Sequence, residues 1–374
     1  MKQRRLLAAV FILAALLVVF AAAAGGDAGD PLISLDYLTG IFAPAAEGAV
    51  QVRLDDAGAR AYEAAETQWR DSVAALEGSS NEETVRDWTE TRLGQGDVLS
   101  TRTGSQVLLL AGGATVRYDA GAVVDATDGT VLPSGGTLSP RHRYLVAEDT
   151  TALFTVASRT AVLDYCGGYH FTYADSTPDY NAMASALKEL NLFRGSTIGY
   201  GEGYELESAP TRIQALVMLI RLLGEEDAAL TRVGVSPYDD VPAGSWFAPY
   251  VTYAVEKGYT NGVGGNRFAP NLTASAQMYV EFVLRALGYS STAQTNVKTA
   301  PERALSAGVI TSGEQTALET REFLRADVVY LSWYALDVPL AQGSEALHSK
   351  LEGMGVFTAA AYKSARAKVV SARL

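Results

Sequence analysis

The strongest constraint on the fold of this 374-residue chain is a recurring helix–loop–helix unit, most complete at residues 238–288. Its first helix carries an aromatic face that begins at Trp246, and Gly258 is placed to end that helix. The glycine-rich loop that follows closes at Phe268, and a second helix ends at Gly288. Because such a unit cannot bury its apolar face alone, its recurrence predicts copies that share a core.

Two further copies fit the same frame. The preceding copy has a first helix from Tyr180 to Gly195, a loop from Gly199 to Tyr204, and a second helix that opens with Pro210-Thr-Arg-Ile-Gln214. In the following copy, residues 302–310 match the end of a first helix and residues 324–327 the start of a second. That third copy has lost the Phe-x-Pro segment of the loop.

The middle unit resembles the S-layer homology (SLH) module, and the three copies cover residues 176–358, about half of the chain. In the second copy, Ser275 to Met278 occupies the place of the family's Thr-Arg-Ala-Glu, so its motif arginine is missing. The positions that match the family pattern are Asp240, Trp246, Gly258, Gly262, Phe268, Pro270 and the run from Arg285 to Gly288.

The resemblance implies a pseudo-threefold bundle in which the motif arginine faces a groove between neighbouring repeats. The ligand that it implies is an anionic secondary cell-wall polysaccharide, which often carries ketal-linked pyruvate. A planar guanidinium can hold such a carboxylate at two points, and an aromatic face can stack on a sugar ring. The resulting polysaccharide-binding candidates are Thr211, Arg212, Asp240, Trp246, Gly262 and Arg325.

The residues around Arg212 can also be interpreted without the family. Thr211 and Gln214 form a capping box, which fixes a helix start. Arg212 then lies on the first turn, where the helix dipole favours a carboxylate. Arg325 sits similarly, although Leu324 cannot cap as threonine does. On spacing alone, ordinary capping with a solvated arginine is the preferred interpretation, and the resemblance reverses that preference.

The N-terminus has the pattern of an export signal. Lys2, Arg4 and Arg5 precede an apolar run from Leu6 to Phe20, which small residues follow. We predict a signal peptide at residues 1–24. An uncleaved membrane anchor is the alternative, because the apolar run is nearly long enough to span a bilayer.

Composition supports an exported, folded chain of more than one domain. Hydrophobic residues make up 48% and charged residues 19% of the sequence, which is typical of folded protein. A net charge of −12 argues against nucleic acid and anionic lipid surfaces as partners. It would also repel an acidic wall polymer at long range, so binding must depend on local arginines and helix ends.

Short β-type runs separated by turn signals extend from Asp97 to Phe171 and suggest a small barrel, sandwich or roll. Asp119, Asp125 and Asp128 do not match a calcium-binding loop, and turns favour aspartate for backbone reasons. We therefore predict no metal site.

The sequence also offers little for catalysis. Cys166 is the single cysteine. It lies near His170 but follows a strand-like run, which does not lower the pKa of a thiol. Residues 30–173 contain no recognisable catalytic motif, so we predict neither an enzyme nor a cofactor. The alternatives are a wall enzyme anchored by SLH repeats, or an adhesion or assembly module, with the activity in residues 30–173.

These observations predict a multidomain α+β chain: an N-terminal helical segment and a small β-rich domain, then an all-α three-repeat SLH-type bundle. Its partners would be secondary cell-wall polysaccharide and other surface-layer proteins, with membrane contact only through an uncleaved N-terminus. Its location would be extracellular, at the cell wall or S-layer. The predicted segments are 1–24 (signal), 25–95 (extended and helical), 96–173 (β-rich), 174–234, 235–292 and 293–358 (repeats), and 359–374 (tail).

Overall fold

The computed structural model describes residues 38–77, 83–175, 178–196, 200–232, 236–289 and 299–374, with only the backbone for residues 71–77. The chain divides into two compact units, Met1–Ser80 and Asn81–Leu374. The predicted signal at residues 1–24 lies outside the described residues. Within the described ranges, no helix combines the length and apolar character needed to cross a membrane.

The first unit contains one long helix. A π-helical turn at Leu38–Phe42 leads into α1, Ala43–Glu77. Large apolar side chains along it, such as Val50 and Tyr62, are more than half exposed.

The second unit begins with an antiparallel sheet of nine strands. Eight of them lie in the order β4-β8-β2-β9-β3-β7-β5-β6, and β1 pairs with β9. In β3 every second side chain is buried, as expected for a sheet with one face on the core. The strands are β1 Glu83–Gly94, β2 Val98–Arg102, β3 Gln106–Ala111, β4 Ala114–Arg117, β5 Ala122–Asp125, β6 Thr130–Leu132, β7 Arg143–Ala147, β8 Thr151–Val156 and β9 Thr160–Thr172.

Helices follow the sheet and share a second apolar core. The indole of Trp333, 1% exposed, lies in that core. The helices are α2 Tyr180–Glu189, α3 Arg212–Leu222, α4 Glu226–Leu230, α5 Ala248–Glu256, α6 Ala276–Ala286, α7 Ala300–Ser306, α8 Ser312–Thr320, α9 Arg325–Ala335, α10 Leu347–Gly353 and α11 Ala359–Lys368.

Polar contacts join the sheet to the helices. Arg159, in the turn between β8 and β9, forms an ion pair with the buried Asp327 of α9. The Glu90 carboxylate on β1 accepts a hydrogen bond from the backbone N–H of Gly201 at 2.8 Å. The guanidinium of Arg92 lies 3.9 Å from the centre of the Tyr204 ring. The sheet therefore packs directly on helical segments and on the loop before α3.

The predicted fold class is wrong. We expected a small β-rich domain followed by a separate all-α bundle, but the nine-stranded sheet and the helices belong to one compact unit. The sheet is also larger than predicted, because residues 83–94, expected in the extended and helical region, form its first strand. Half of the residues of β1 are exposed and only one, Leu93, is buried, so the strand is held by pairing with the 13-residue β9 rather than by an apolar face.

Candidate ligand-binding site

The start of α3 is fixed by contacts on both sides. The Thr211 hydroxyl accepts a hydrogen bond from the Gln214 N–H, and the Gln214 side chain accepts one from the Thr211 N–H. The N–H groups of Arg212 and Ile213 donate to the carbonyls of Leu272 and Pro270, at 2.7 and 3.1 Å. The N–H groups of Arg212, Ile213 and Gln214 are thus all bonded within the protein, which leaves the guanidinium of Arg212 as the positive group at this helix end.

Arg212 is 5% exposed, and its guanidinium carbon lies over the rings of Phe268 and Phe282, 5.0 and 4.9 Å from their centres. Its Nη2 donates to the Thr260 hydroxyl at 3.2 Å and to the Gly262 carbonyl at 3.4 Å. Its Nε has no hydrogen-bond partner. No described carboxylate forms an ion pair with Arg212, so its buried positive charge has no ion-pair partner in the described part of the chain.

A cavity of about 190 Å³ opens beside this guanidinium. Polar groups of the Thr260–Gly262 loop line one side of it, and the second helix of the same copy lines the other. The lining residues are Arg212, Tyr259, Thr260, Asn261, Gly262, Gln277, Met278, Glu281, Phe282 and Arg285.

Electrostatics at the cavity favour an anion. Burial lowers the pKa of Arg212 from its ordinary value of 12.5, and the nearby positive charge of Arg285 lowers it further. Arginine nevertheless stays protonated in proteins. A buried charge without a partner costs free energy, and an anionic ligand would offset that cost.

Asp240 and Gly262 shape the loop of the second copy. Burial by itself would raise the pKa of Asp240, but hydrogen bonds from the N–H groups of Phe268 and Ala269, both 2.8 Å, outweigh it and lower that pKa. Gly262 has a φ of +73°, and a Cβ there would lie 2.6 Å from the Arg267 carbonyl. Asp240 thus holds the loop, and Gly262 lets it turn and presents its carbonyl to Arg212.

Trp246 and Arg325 lie elsewhere than in the Arg212 cavity. Trp246 is 64% exposed and contacts Phe247 and Tyr250 edge-on. Arg325 is buried at the start of α9, where its Nε donates to the Tyr204 carbonyl at 3.1 Å. Of the six candidates, the structure brings together Thr211, Arg212 and Gly262, with Asp240 behind the same loop.

The start of α6 has a groove of its own. Ala276 stands there in the place of the motif arginine and, with Glu319 and Arg321, lines a cavity of about 540 Å³.

Sequence reasoning missed Thr260, Glu281 and Arg285 as site residues. In the sequence, Arg285 belongs to the run to Gly288 that matches the family pattern at the end of the helix. A usable signal was its spacing, because it follows Ala276 by the same interval that separates Arg221 from Arg212.

Comparisons with known proteins agree on the middle copy. The family model for the S-layer homology domain matches residues 237–275. A cell surface protein of Thermoanaerobacter kivui is 31% identical over 121 residues, which is 32% of this chain and 15% of that protein. The middle cell wall protein of Brevibacillus brevis is 30% identical over 29% of this chain and 10% of its own length. The chain thus spans a small part of the relatives that it matches.

Likeness among solved structures is slight. Procruciferin, an 11S globulin of Brassica napus, is 11% identical with a TM-score of 0.16, over 22% of this chain and 21% of that chain. The sequence matches are therefore the informative ones. Residues 237–275 thus match the S-layer homology domain, and the two relatives that share sequence with this chain are named as cell surface and cell wall proteins.

Proposed function

We propose that this chain attaches to the bacterial cell wall by binding an anionic secondary cell-wall polysaccharide in the Arg212 cavity. The observation that carries the proposal is the state of Arg212, a residue that is 5% exposed, forms no ion pair with any described carboxylate and keeps its Nε without a hydrogen-bond partner. A protein stabilises such a group poorly on its own, whereas a carboxylate in the cavity would complete its hydrogen bonds.

The cavity suits a carboxylate on a sugar, such as ketal-linked pyruvate. The planar guanidinium of Arg212 can make a two-point contact with it. Thr260 and Asn261, on the loop that lines the cavity, offer hydrogen-bonding groups for sugar hydroxyls. Thr211 and Gly262 support the site by fixing the helix start and the loop, and Asp240 holds that loop.

Co-sedimentation with purified cell walls tests the proposal. The purified chain should sediment with intact walls, should bind walls stripped of pyruvate ketals more weakly, and should not sediment with walls that lack the polysaccharide. Equal sedimentation with all three preparations would refute polysaccharide binding. Loss only on removal of the whole polysaccharide would retain the polymer as ligand but refute the carboxylate.

No catalytic step is part of this proposal. The Cys166 thiol donates to the Arg86 carbonyl at 3.1 Å. The two named relatives are cell surface and cell wall proteins by name. An enzyme assay of the whole chain on labelled cell walls would detect hydrolysis if the alternative function held.

A further inference from the structure

Arg285 lies in the last turn of α6 and lines the same cavity as Arg212. Its side chain is 22% exposed, and its Nε donates to a Glu281 oxygen at 2.6 Å. A guanidinium has five N–H donors, and this hydrogen bond uses one of them. Arg285 can therefore keep its bond to Glu281 and still donate to a ligand.

Glu281 does not neutralise this part of the cavity. Its other carboxylate oxygen accepts from Arg303, so one negative charge is shared between two guanidiniums. Arg212 lines the same cavity and forms no ion pair with Glu281, so the charge of Arg212 adds to that of the two guanidiniums. This local excess of positive charge occurs in a chain whose net charge is −12, and it marks a place for an anion.

The same arrangement recurs one copy earlier. Arg221 follows Arg212 by the interval that separates Arg285 from Ala276. It donates to Glu226 at 2.8 Å, and Arg194 lies 3.0 Å from the other oxygen of that carboxylate. Arg221 also contributes to lowering the pKa of Arg325, after burial, as Arg285 does for Arg212. The pairing of a helix-start arginine with a helix-end arginine is thus a repeated feature of this fold.

We infer that Arg285 is the second guanidinium of the site, so that one carboxylate of the ligand is held between Arg212 and Arg285. Arg303 and Glu281 are positioning residues that hold Arg285 against the cavity. Both guanidiniums would donate to the carboxylate, Arg212 through its two-point contact and Arg285 as a further donor, which a neutral sugar could not match. This inference rests on the proposed function and narrows it to a ligand whose anionic group reaches both arginines.

Calorimetric titration with purified wall polymer, before and after removal of pyruvate ketals, tests the inference. Arg285→Ala should weaken binding to the intact polymer at least tenfold, and the difference from wild type should largely vanish on the ketal-free polymer. Arg70→Ala is the matched control, because Arg70 also forms an i,i+4 ion pair with a glutamate, Glu66, on a helix. It should bind as wild type does.

The outcomes separate the two proposals. If wild type does not bind the polymer, both are overturned. If Arg212→Ala weakens binding while Arg285→Ala binds as wild type does, the second guanidinium alone is overturned. An equal loss for Arg285→Ala on both polymers would assign Arg285 a structural role instead. Should the alanine variant fail to fold, Arg285→Lys can replace it, because a lysine keeps the ion pair with Glu281. Its affinity for the intact polymer should still fall severalfold, and its affinity for the ketal-free polymer should not change.

Discussion

Arg212 and Arg325 begin their helices with the same backbone contact, since each donates its N–H to a carbonyl of a distant loop, Leu272 at 2.7 Å and Ser208 at 2.9 Å. They differ at the guanidinium. The Nε of Arg325 donates to the Tyr204 carbonyl, whereas the Nε of Arg212 has no partner. Equivalent positions in the fold thus differ in their capacity for a ligand.

From this difference we expect Arg212→Ala to weaken wall binding roughly tenfold to a hundredfold, because a charge-assisted hydrogen bond is worth about 1.5–3 kcal/mol. Arg325→Ala should weaken wall binding less than Arg212→Ala does. Arg212→Lys should recover part of the loss, since an ammonium keeps the charge without the planar two-point contact. Titration of each variant with purified wall polymer measures the change, and circular dichroism confirms helix content. Wild-type affinity in Arg212→Ala would show that the Arg212 cavity does not bind the polymer.

Gly262→Ala should destabilise the protein and weaken binding together. The left-handed backbone costs a non-glycine residue about 1–2 kcal/mol, and the new Cβ would lie 2.6 Å from the Arg267 carbonyl. Gly265→Ala is the control, because Gly265 also has a positive φ but its Cβ would meet no atom within 4 Å. Thermal unfolding should show the larger loss for Gly262→Ala. Equal losses of thermal stability in the two variants would mean that the contact between the new Cβ and the Arg267 carbonyl does not contribute.

Trp246→Ala should leave stability nearly unchanged, since the indole is 64% exposed and touches its neighbours only edge-on. If its ring stacks on a sugar of the bound polymer, affinity should fall by a few-fold. Titration and thermal unfolding of the same sample separate the two effects. Unchanged affinity would remove Trp246 from the list of binding residues.

Arg159→Ala should loosen the sheet from the helices. Arg159 pairs with Asp327, whose side chain is 3% exposed, and loss of one partner of a buried polar group costs about 1–3 kcal/mol. Arg321 and the Leu324 N–H still contact that carboxylate, which keeps the cost within this range. Urea denaturation measures it. Arg60→Ala, which breaks an exposed ion pair, should change stability far less.

His142 should titrate above its ordinary pKa of 6.5. A hydrogen bond with Asp125, at 2.8 Å, raises the pKa of His142, and burial opposes it only in part. Because the folded-state pKa is the higher one, the stability that His142 protonation contributes is complete below pH 6.5 for as long as Asp125 stays ionised. It is lost as the pH rises through the folded-state value. A proton NMR titration gives the midpoint, which Asp125→Asn should return towards 6.5.

The helix start at Arg212 could be predicted from the sequence because it depends on neighbouring residues. A capping box is set by residues three apart, and Thr211 and Gln214 form it as expected. Arg285 lay beyond such rules, since its place beside Arg212 depends on how two distant helices pack. The resemblance located the loop with Asp240 and Gly262, but not which carbonyls and hydroxyls would meet the guanidinium.

The prediction of the fold class was wrong for a related reason. β1 has few buried side chains, so it lacks the alternation that identifies a strand. Single polar residues, among them Glu90 and Arg159, make contacts between the sheet and the helices. Such contacts produce no periodic pattern in the sequence, so they could not be predicted from it. A prediction made one segment at a time therefore placed the sheet and the helices in separate domains, although long-range polar contacts join them.

The direct packing of β1 on the loop at Gly201 and Tyr204 has a mechanical consequence. Tension applied to the sheet would reach the helices through these contacts and through the ion pair between Arg159 and Asp327. A chain held at Arg212 would keep its sheet at one angle to the wall. A force that pulls on the sheet would then act directly on the contact between Arg212 and the wall polymer.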